Sequence, residues 1–234
     1  MKTSFRAYLS TLWRPISVAI WGFIRNPQAV LLLAACPTPK SDRLLDRHDA
    51  VLIVDVQADF LPGGNLGVQR GDEVVPVLNR YLAAARRKGA PVFASRDWHP
   101  RDHCSFLAQG GPWPEHCVAG SPGAEFAPGL ALTRDAVIIS KATARDTDAY
   151  SAFQGTELAP RLRELGVKRL LVGGLATDYC VLNTVLDARK AKFEVLLLVD
   201  AIRAVNVKPG DGERAEREML AAGAVAIRLE DCSR

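Results

Sequence analysis

From Ala50 onward the chain alternates short apolar runs of strand length with amphipathic stretches of helical period, and that rhythm leaves few folds open. The first run, Ala50 to Val56, reads AVLIVDV, apolar without a break until Asp55. A strand wet on one face alternates in polarity, so an unbroken apolar strand is covered on both faces. Glu73 to Gly89 follows with Val74, Val77, Leu78 and Leu82 at helical spacing and a glycine stop. The pattern then predicts strand Pro91 to Ser95, a long loop rich in Gly, Pro and His, strand Ala136 to Lys141 and helix Thr156 to Gly166. The second half repeats it with strand Arg169 to Gly174, helix Asp178 to Lys190, strand Phe193 to Val199, helix Gly212 to Ala222 and strand Ala224 to Leu229. Strands alternating with helices predict three α/β/α layers around a mostly parallel sheet of about six strands.

The 234 residues, 48% hydrophobic, suit one such domain over residues 48–234 with an appendage at 1–47. The net charge of +4 belongs to the appendage, where seven Lys/Arg face two Asp, leaving 23 basic against 24 acidic residues in 48–234. The body therefore offers no electrostatic footprint for nucleic acid. Residues 1–41 contain no acid, and their apolar stretches, Ile16 to Ile24 and Ala29 to Cys36, are parted by Arg25-Asn26-Pro27. Neither stretch is long enough for a stable membrane span. The appendage reads as disordered or processed. Leu33-Ala34-Ala35-Cys36 resembles a lipoprotein cleavage box, so export with an anchor at Cys36 stands as the alternative to a cytoplasmic location. Five cysteines without regular spacing make no disulfide framework and point to a reducing compartment.

In an open parallel sheet, ligands bind beyond the carboxyl ends of the strands. The unusual residues of this chain fall there: Asp55 ends the first strand, Asp97 follows the second, Lys141 ends the third, the run Gly173 to Cys180 follows the fourth and Asp200 follows the fifth. Cys180 is expected in the first turn of a helix capped by Thr177 or Asp178, where the helix dipole lowers a thiol pKa and free N–H groups suit an oxyanion. A buried acid and a buried lysine are costly unless paired. A structural ion pair is one reading; three such groups on adjacent strand ends favour proton transfer around a cysteine nucleophile. Asp97, His99, His103 and His116 bring three of the four histidines together with a carboxylate, either a site for one divalent transition metal or a chance cluster of solvated loop imidazoles.

Four segments carry a family resemblance: VDVQADFLPGG (54–64), SRDWHPRDHCSF (95–106), WPEHCVAGSPGAEF (113–126) and GGLATDYCV (173–181). In order and spacing they resemble the nicotinamidases, or pyrazinamidases, of the isochorismatase-like cysteine hydrolases. The resemblance implies a triad of Asp55, Lys141 and Cys180, an oxyanion hole from the N–H groups of Ala176 and Cys180, and a cis peptide at Leu175-Ala176. It also implies zinc, iron or manganese on Asp97, His99, His103 and His116, holding the pyridine nitrogen of nicotinamide. Phe60 and Trp113, with Leu66 and Tyr150, match the walls around the flat ring. The implied reaction is hydrolysis of a linear, non-peptide amide to nicotinate and ammonia in NAD salvage, with pyrazinamide as a side substrate. Ala58 stands where many members carry asparagine, and Cys104 is a position the family does not use.

Three other readings compete with that one. A related cysteine amidohydrolase would act on another small carboxamide or carbamoyl compound; a metal-activated water would make Cys180 structural; a closed metal site would make the protein non-enzymatic. The sequence leaves a homo-oligomer open and does not choose the metal.

Overall fold

The computed structural model describes residues 45–46 and 48–232, all within one compact unit, Pro39–Arg234. The expectations for the appendage, its apolar stretches and the Cys36 box lie outside the described residues. Six strands form one sheet: β1 (Asp49–Val54), β2 (Val92–Asp97), β3 (Val137–Lys141), β4 (Arg169–Leu175), β5 (Glu194–Arg203) and β6 (Val225–Ile227). Their order is β3-β2-β1-β4-β5-β6, and every pairing is parallel. Four helices join them: α1 (Val74–Lys88), α2 (Leu158–Glu164), α3 (Leu182–Lys190) and α4 (Asp211–Ala221). The three-layer parallel fold expected from the pattern is the fold observed.

The unbroken apolar strand has its cause in that layering. Within β1, Val51 and Ile53 point into one core with Leu78, Leu82 and Ala85 of α1, while Ala50, Leu52 and Val54 point into the other with Leu158, Leu162 and Val185. Successive side chains leave opposite faces of a strand, so two helical layers require two apolar sets. From Ala50 to Val54 every residue is fully buried. Burial at this density yields about 1.5–3 kcal/mol per large aliphatic side chain. Gly174, at φ +136°, lies so close to β1 that a Cβ would collide with the Val54 carbonyl oxygen, so only glycine lets β4 approach there.

The chain runs outward from β1 to β2 to β3, then returns across the sheet to β4 on the other side of β1. That reversal opens a crevice at the carboxyl ends of β1 and β4, where open α/β sheets bind ligands. Three strands overrun the expected ends, β4 by one residue, to Leu175. β2 continues to Asp97, which therefore closes the strand rather than following it. β5 continues to Arg203 through a register shift opposite Val172 and Gly174. Asp200 consequently lies inside β5, where its carboxylate accepts from Tyr81 Oη at 3.2 Å and from the Leu229 N–H at 2.9 Å, and it is absent from the crevice. Among the described residues, no helix is long and apolar enough to cross a membrane.

Candidate active site

A single ammonium organises the crevice. Lys141, fully buried at the end of β3, places Nζ 3.0 Å from Asp55 Oδ2 and 3.5 Å from Cys180 Sγ. The same nitrogen donates to Asp97 Oδ1 and to the Ala149 carbonyl oxygen. Asp55 follows β1 at φ +48° and Ala142 follows Lys141 at +49°, both left-handed conformations that L-residues adopt at a cost. Ser95 Oγ donates to Asp55 Oδ1 at 2.7 Å, fixing the carboxyl rotamer. Oδ2 meets Lys141 as an ion pair without hydrogen-bond alignment, so its lone pair stays open toward the thiol.

The electrostatics follow from this crowding. Burial raises Asp55 above the usual carboxylate range against the pull of Lys141. Burial acts the same way on Asp97, but the Lys141 ammonium outweighs it and holds that carboxyl well below the usual range. Burial alone would lower Lys141; its two carboxylates overcome this and keep the ammonium charged far above neutral pH. Burial, reinforced by Asp55 and Asp97, pushes the Cys180 thiol well up despite Lys141. The lowered thiol pKa expected from a helix start is therefore reversed, by burial first and by the two carboxylates second. Cys180 lies inside a π-helical turn, Thr177–Val181, that precedes α3, and it sits beside two carboxylates. Neither Thr177 nor Asp178 caps a helix; Asp178 instead accepts from the N–H groups of Val205 and Asn206. The Leu175–Ala176 peptide is cis.

The histidines come from the long 98–136 connection. Asp97, His99 and His116 gather with donor atoms all within 4.8 Å of one another, each residue buried. His99 Nδ1 bonds the Ala142 carbonyl at 3.2 Å and His116 Nδ1 the Pro114 carbonyl at 2.8 Å. A carbonyl only accepts, so each ring carries its proton on Nδ1 and keeps a lone pair on Nε2. His99 Nε2 is buried with no hydrogen-bond partner, which a protein interior rarely tolerates without an occupant. A carboxylate with two such imidazoles fits a divalent metal. The buried charges agree, since two carboxylates face one ammonium and a dication beside Asp97 offsets the excess.

His103 is in place but engaged elsewhere. Its ring stacks on His99 at 4.2 Å, while Nδ1 meets Ser105 Oγ at 2.7 Å and Nε2 meets the Thr147 carbonyl at 3.2 Å. Both nitrogens are thus satisfied by protein, and His103 stands outside the donor group. Burial lowers its pKa, which keeps the ring neutral. Phe106 sets its ring against all three imidazoles at 5.5–5.7 Å, excluding water from one side.

These groups open onto a pocket of about 450 Å³, open solvent at its mouth included. Phe60, Leu66, Trp113 and Tyr150 all line it, together with Asp97, His99, His116, Ala176 and Cys180. Asp55, Lys141 and His103 lie behind that lining. Trp113 Nε1 donates to Tyr150 Oη at 2.9 Å, and burial pushes the Tyr150 phenol up to about 12. Residues 49–231 match the isochorismatase domain family. The chain belongs to the isochorismatase family.

Within the isochorismatase family, the nicotinamidase of Escherichia coli (strain K12) is 41% identical over 203 residues, 78% of this chain and 95% of that one. The crystal structure of the pyrazinamidase of Pyrococcus horikoshii in complex with zinc is similar at a TM-score of 0.75 and 51% identity, covering 78% of this chain and 99% of that one. The L. infantum protein PnC1, solved in complex with nicotinate, is similar at 0.74 and 37% identity, covering 81% and 97%.

Several groups of this isochorismatase-family site escaped the sequence reading. Tyr179, Asp148, Ser105 and Val205 line the pocket, and Tyr179 packs edge-on against Trp113 at 5.1 Å. Gln57, Asp59 and Ser95 are buried polar residues that hold neighbouring segments. Ser95 carried a usable signal, the first polar side chain after the apolar run Val92–Ala94 of β2. For Gln57 and Asp59 the signal was their spacing of two and four after Asp55, which only the tertiary contacts explain.

Proposed function

We propose that the protein is a nicotinamidase, an amidohydrolase that converts nicotinamide to nicotinate and ammonia through a thioester on Cys180. One observation carries the reading: the pocket lined by Cys180, held against Asp55 and Lys141, also presents the unpartnered Nε2 of His99 beside Asp97 and His116. A nucleophile and a donor group for a ring nitrogen on one small aromatic pocket suit a pyridine carboxamide.

The chemistry assigned to this chain's residues runs as follows. Asp55 accepts the Cys180 thiol proton; its raised pKa makes it a stronger base than an ordinary carboxylate, and the Lys141 ammonium favours the thiolate that forms. Lys141 stays charged and holds Asp55 and the sulfur in register. Sγ attacks the carboxamide carbon, and the N–H groups of Ala176 and Cys180 receive the oxyanion. The C–N bond breaks as Asp55 returns its proton to nitrogen, releasing ammonia and leaving the thioester. Asp55 then takes a proton from water, whose oxygen attacks the thioester, and the proton passes to sulfur as nicotinate forms. Asp97, His99 and His116 would hold a divalent metal, with His103 as a further ligand once its Nε2 leaves the Thr147 carbonyl, and the metal would offer a coordination position to the pyridine nitrogen. Zinc, iron and manganese all suit that donor set. Phe60, Leu66, Trp113 and Tyr150 hold the ring flat, and pyrazinamide, with an equivalent nitrogen, is a side substrate.

Residues 48–234 form the hydrolase domain on this reading, and 1–47 a separate segment. The free thiols of Cys104, Cys117 and Cys180 support a cytoplasmic location, and a lipid found on Cys36 would replace it with export. The test is ammonia release from nicotinamide, pyrazinamide and a non-aromatic carbamoyl compound, each with and without a chelator. The reading expects chelator-sensitive release from the two aromatic amides; release confined to the carbamoyl compound would overturn it.

A further inference from the structure

We propose that Gln57 and Asp59, on the single turn that follows β1, are positioning residues that set the spacing of two metal ligands on two other segments. Gln57 is fully buried and uses its whole amide on backbone. Its Oε1 accepts from the Asp97 N–H at 2.8 Å, while its Nε2 donates to the Asp97 carbonyl at 2.8 Å and the Ala124 carbonyl at 2.9 Å. The ligand Asp97 is thereby held on both sides of its own Cα. Two residues on, the buried carboxylate of Asp59 accepts the Cys117 N–H at 2.7 Å and the Asn65 N–H at 3.2 Å.

Cys117 follows His116 directly and sits at φ +45°, a conformation an L-residue keeps only when its surroundings hold it. Asp59 supplies that hold. Gly123 closes the arrangement, because a Cβ there would occupy the space of the Asp59 carboxyl group. Gln57 reaches the next residue, Ala124, so one turn is latched to both ligand segments and to the strap that covers them. Neither Gln57 nor Asp59 lines the pocket, and neither enters the proton transfers above. Their geometry is that of groups that orient ligands, whose loss elsewhere weakens metal binding by about 10–100-fold.

The inference rests on the metal centre of the proposed function, and its test separates the two. Zinc affinity of the full chain is measured by competition with a chromogenic chelator, alongside the melting temperature of the metal-free protein. The proteins compared are wild type, Asp59→Asn, Gly123→Ala and Val185→Ala, the last a buried change in the opposite core. Asp59→Asn keeps the size but turns one acceptor into a donor facing an N–H. Gly123→Ala leaves Asp59 in the chain and displaces its carboxylate, so it serves even where Asp59→Asn folds poorly. The expected result is zinc binding about 10–100-fold weaker in Asp59→Asn and Gly123→Ala, and unchanged in Val185→Ala despite its lower melting temperature. Unchanged affinity in the first two, or an equal loss in Val185→Ala, overturns the positioning role. Absence of zinc binding in wild type contradicts the metal centre itself.

Discussion

The two halves of the pocket are built in different ways. Asp55 and Lys141 stand at the ends of β1 and β3, and Cys180 lies on the turn after β4, so the nucleophile's groups inherit rigidity from a sheet packed on both faces. His99, His103 and His116 sit on the 98–136 connection, which contains only two short 3₁₀ turns and a few isolated bridges. That side is fixed one hydrogen bond at a time, through Ala142, Pro114, Ser105, Gln57 and Asp59. A strand end tolerates loss of one polar contact because the apolar core on both faces of the sheet still holds its backbone; a loop held by single bonds does not. Changes on the sheet side should therefore alter chemistry with binding intact, and changes on the loop side should alter metal and substrate affinity first.

The largest effect is expected at the nucleophile. Cys180→Ala should lower kcat by at least about 10⁴-fold, with metal content and melting temperature close to wild type. Retained turnover would mean that a bound water, not sulfur, attacks the amide. On the loop side, His99→Ala should weaken zinc binding by more than about 100-fold, and His103→Ala by about tenfold. The difference follows from His103, whose ring nitrogens already bond Ser105 and Thr147, whereas His99 Nε2 makes no hydrogen bond. Equal losses would show that His103 gives up those two bonds to the metal at no cost, a result readable by chelator competition.

Smaller effects sharpen the contrast. Ser95 donates to ionised Asp55, which favours the charged form against a carboxyl that burial already raises. Removing that donor in Ser95→Ala raises the pKa further. Asp55 must be ionised to take the thiol proton, so activity should be lost sooner as pH falls, with the acid limb of kcat/KM displaced upward. A limb that stays in place would remove Asp55 as the base. Last, Trp113→Phe keeps an aromatic wall but breaks the bond to Tyr150, and should raise KM by about 3- to 10-fold with kcat little changed.

The same division explains what the sequence made legible. Strand ends are encoded locally, by period and by one out-of-place polar residue, so Asp55, Lys141 and the crevice between β1 and β4 were readable from residue order. Asp200 was misplaced because β5 passes through a register shift and runs four residues past Val199, the end its apolar run suggested. The Cys180 turn reads as an ordinary helix start but is π-helical, and burial together with the carboxylates beside it reverses the expected thiol shift. The partners of His103 and Cys117, Thr147 and Asp59, are 44 and 58 residues away in the chain, and no local pattern records such pairings.

The central claim is covalent chemistry at one sulfur. Rapid quenching of the metal-loaded protein during turnover of nicotinamide, followed by mass analysis of the peptide containing Cys180, tests it directly. The account predicts a nicotinoyl group on Cys180 that appears with substrate, decays as nicotinate forms and is absent from Cys180→Ala. Steady release of ammonia with Cys180 unmodified throughout, and undiminished in Cys180→Ala, would contradict it.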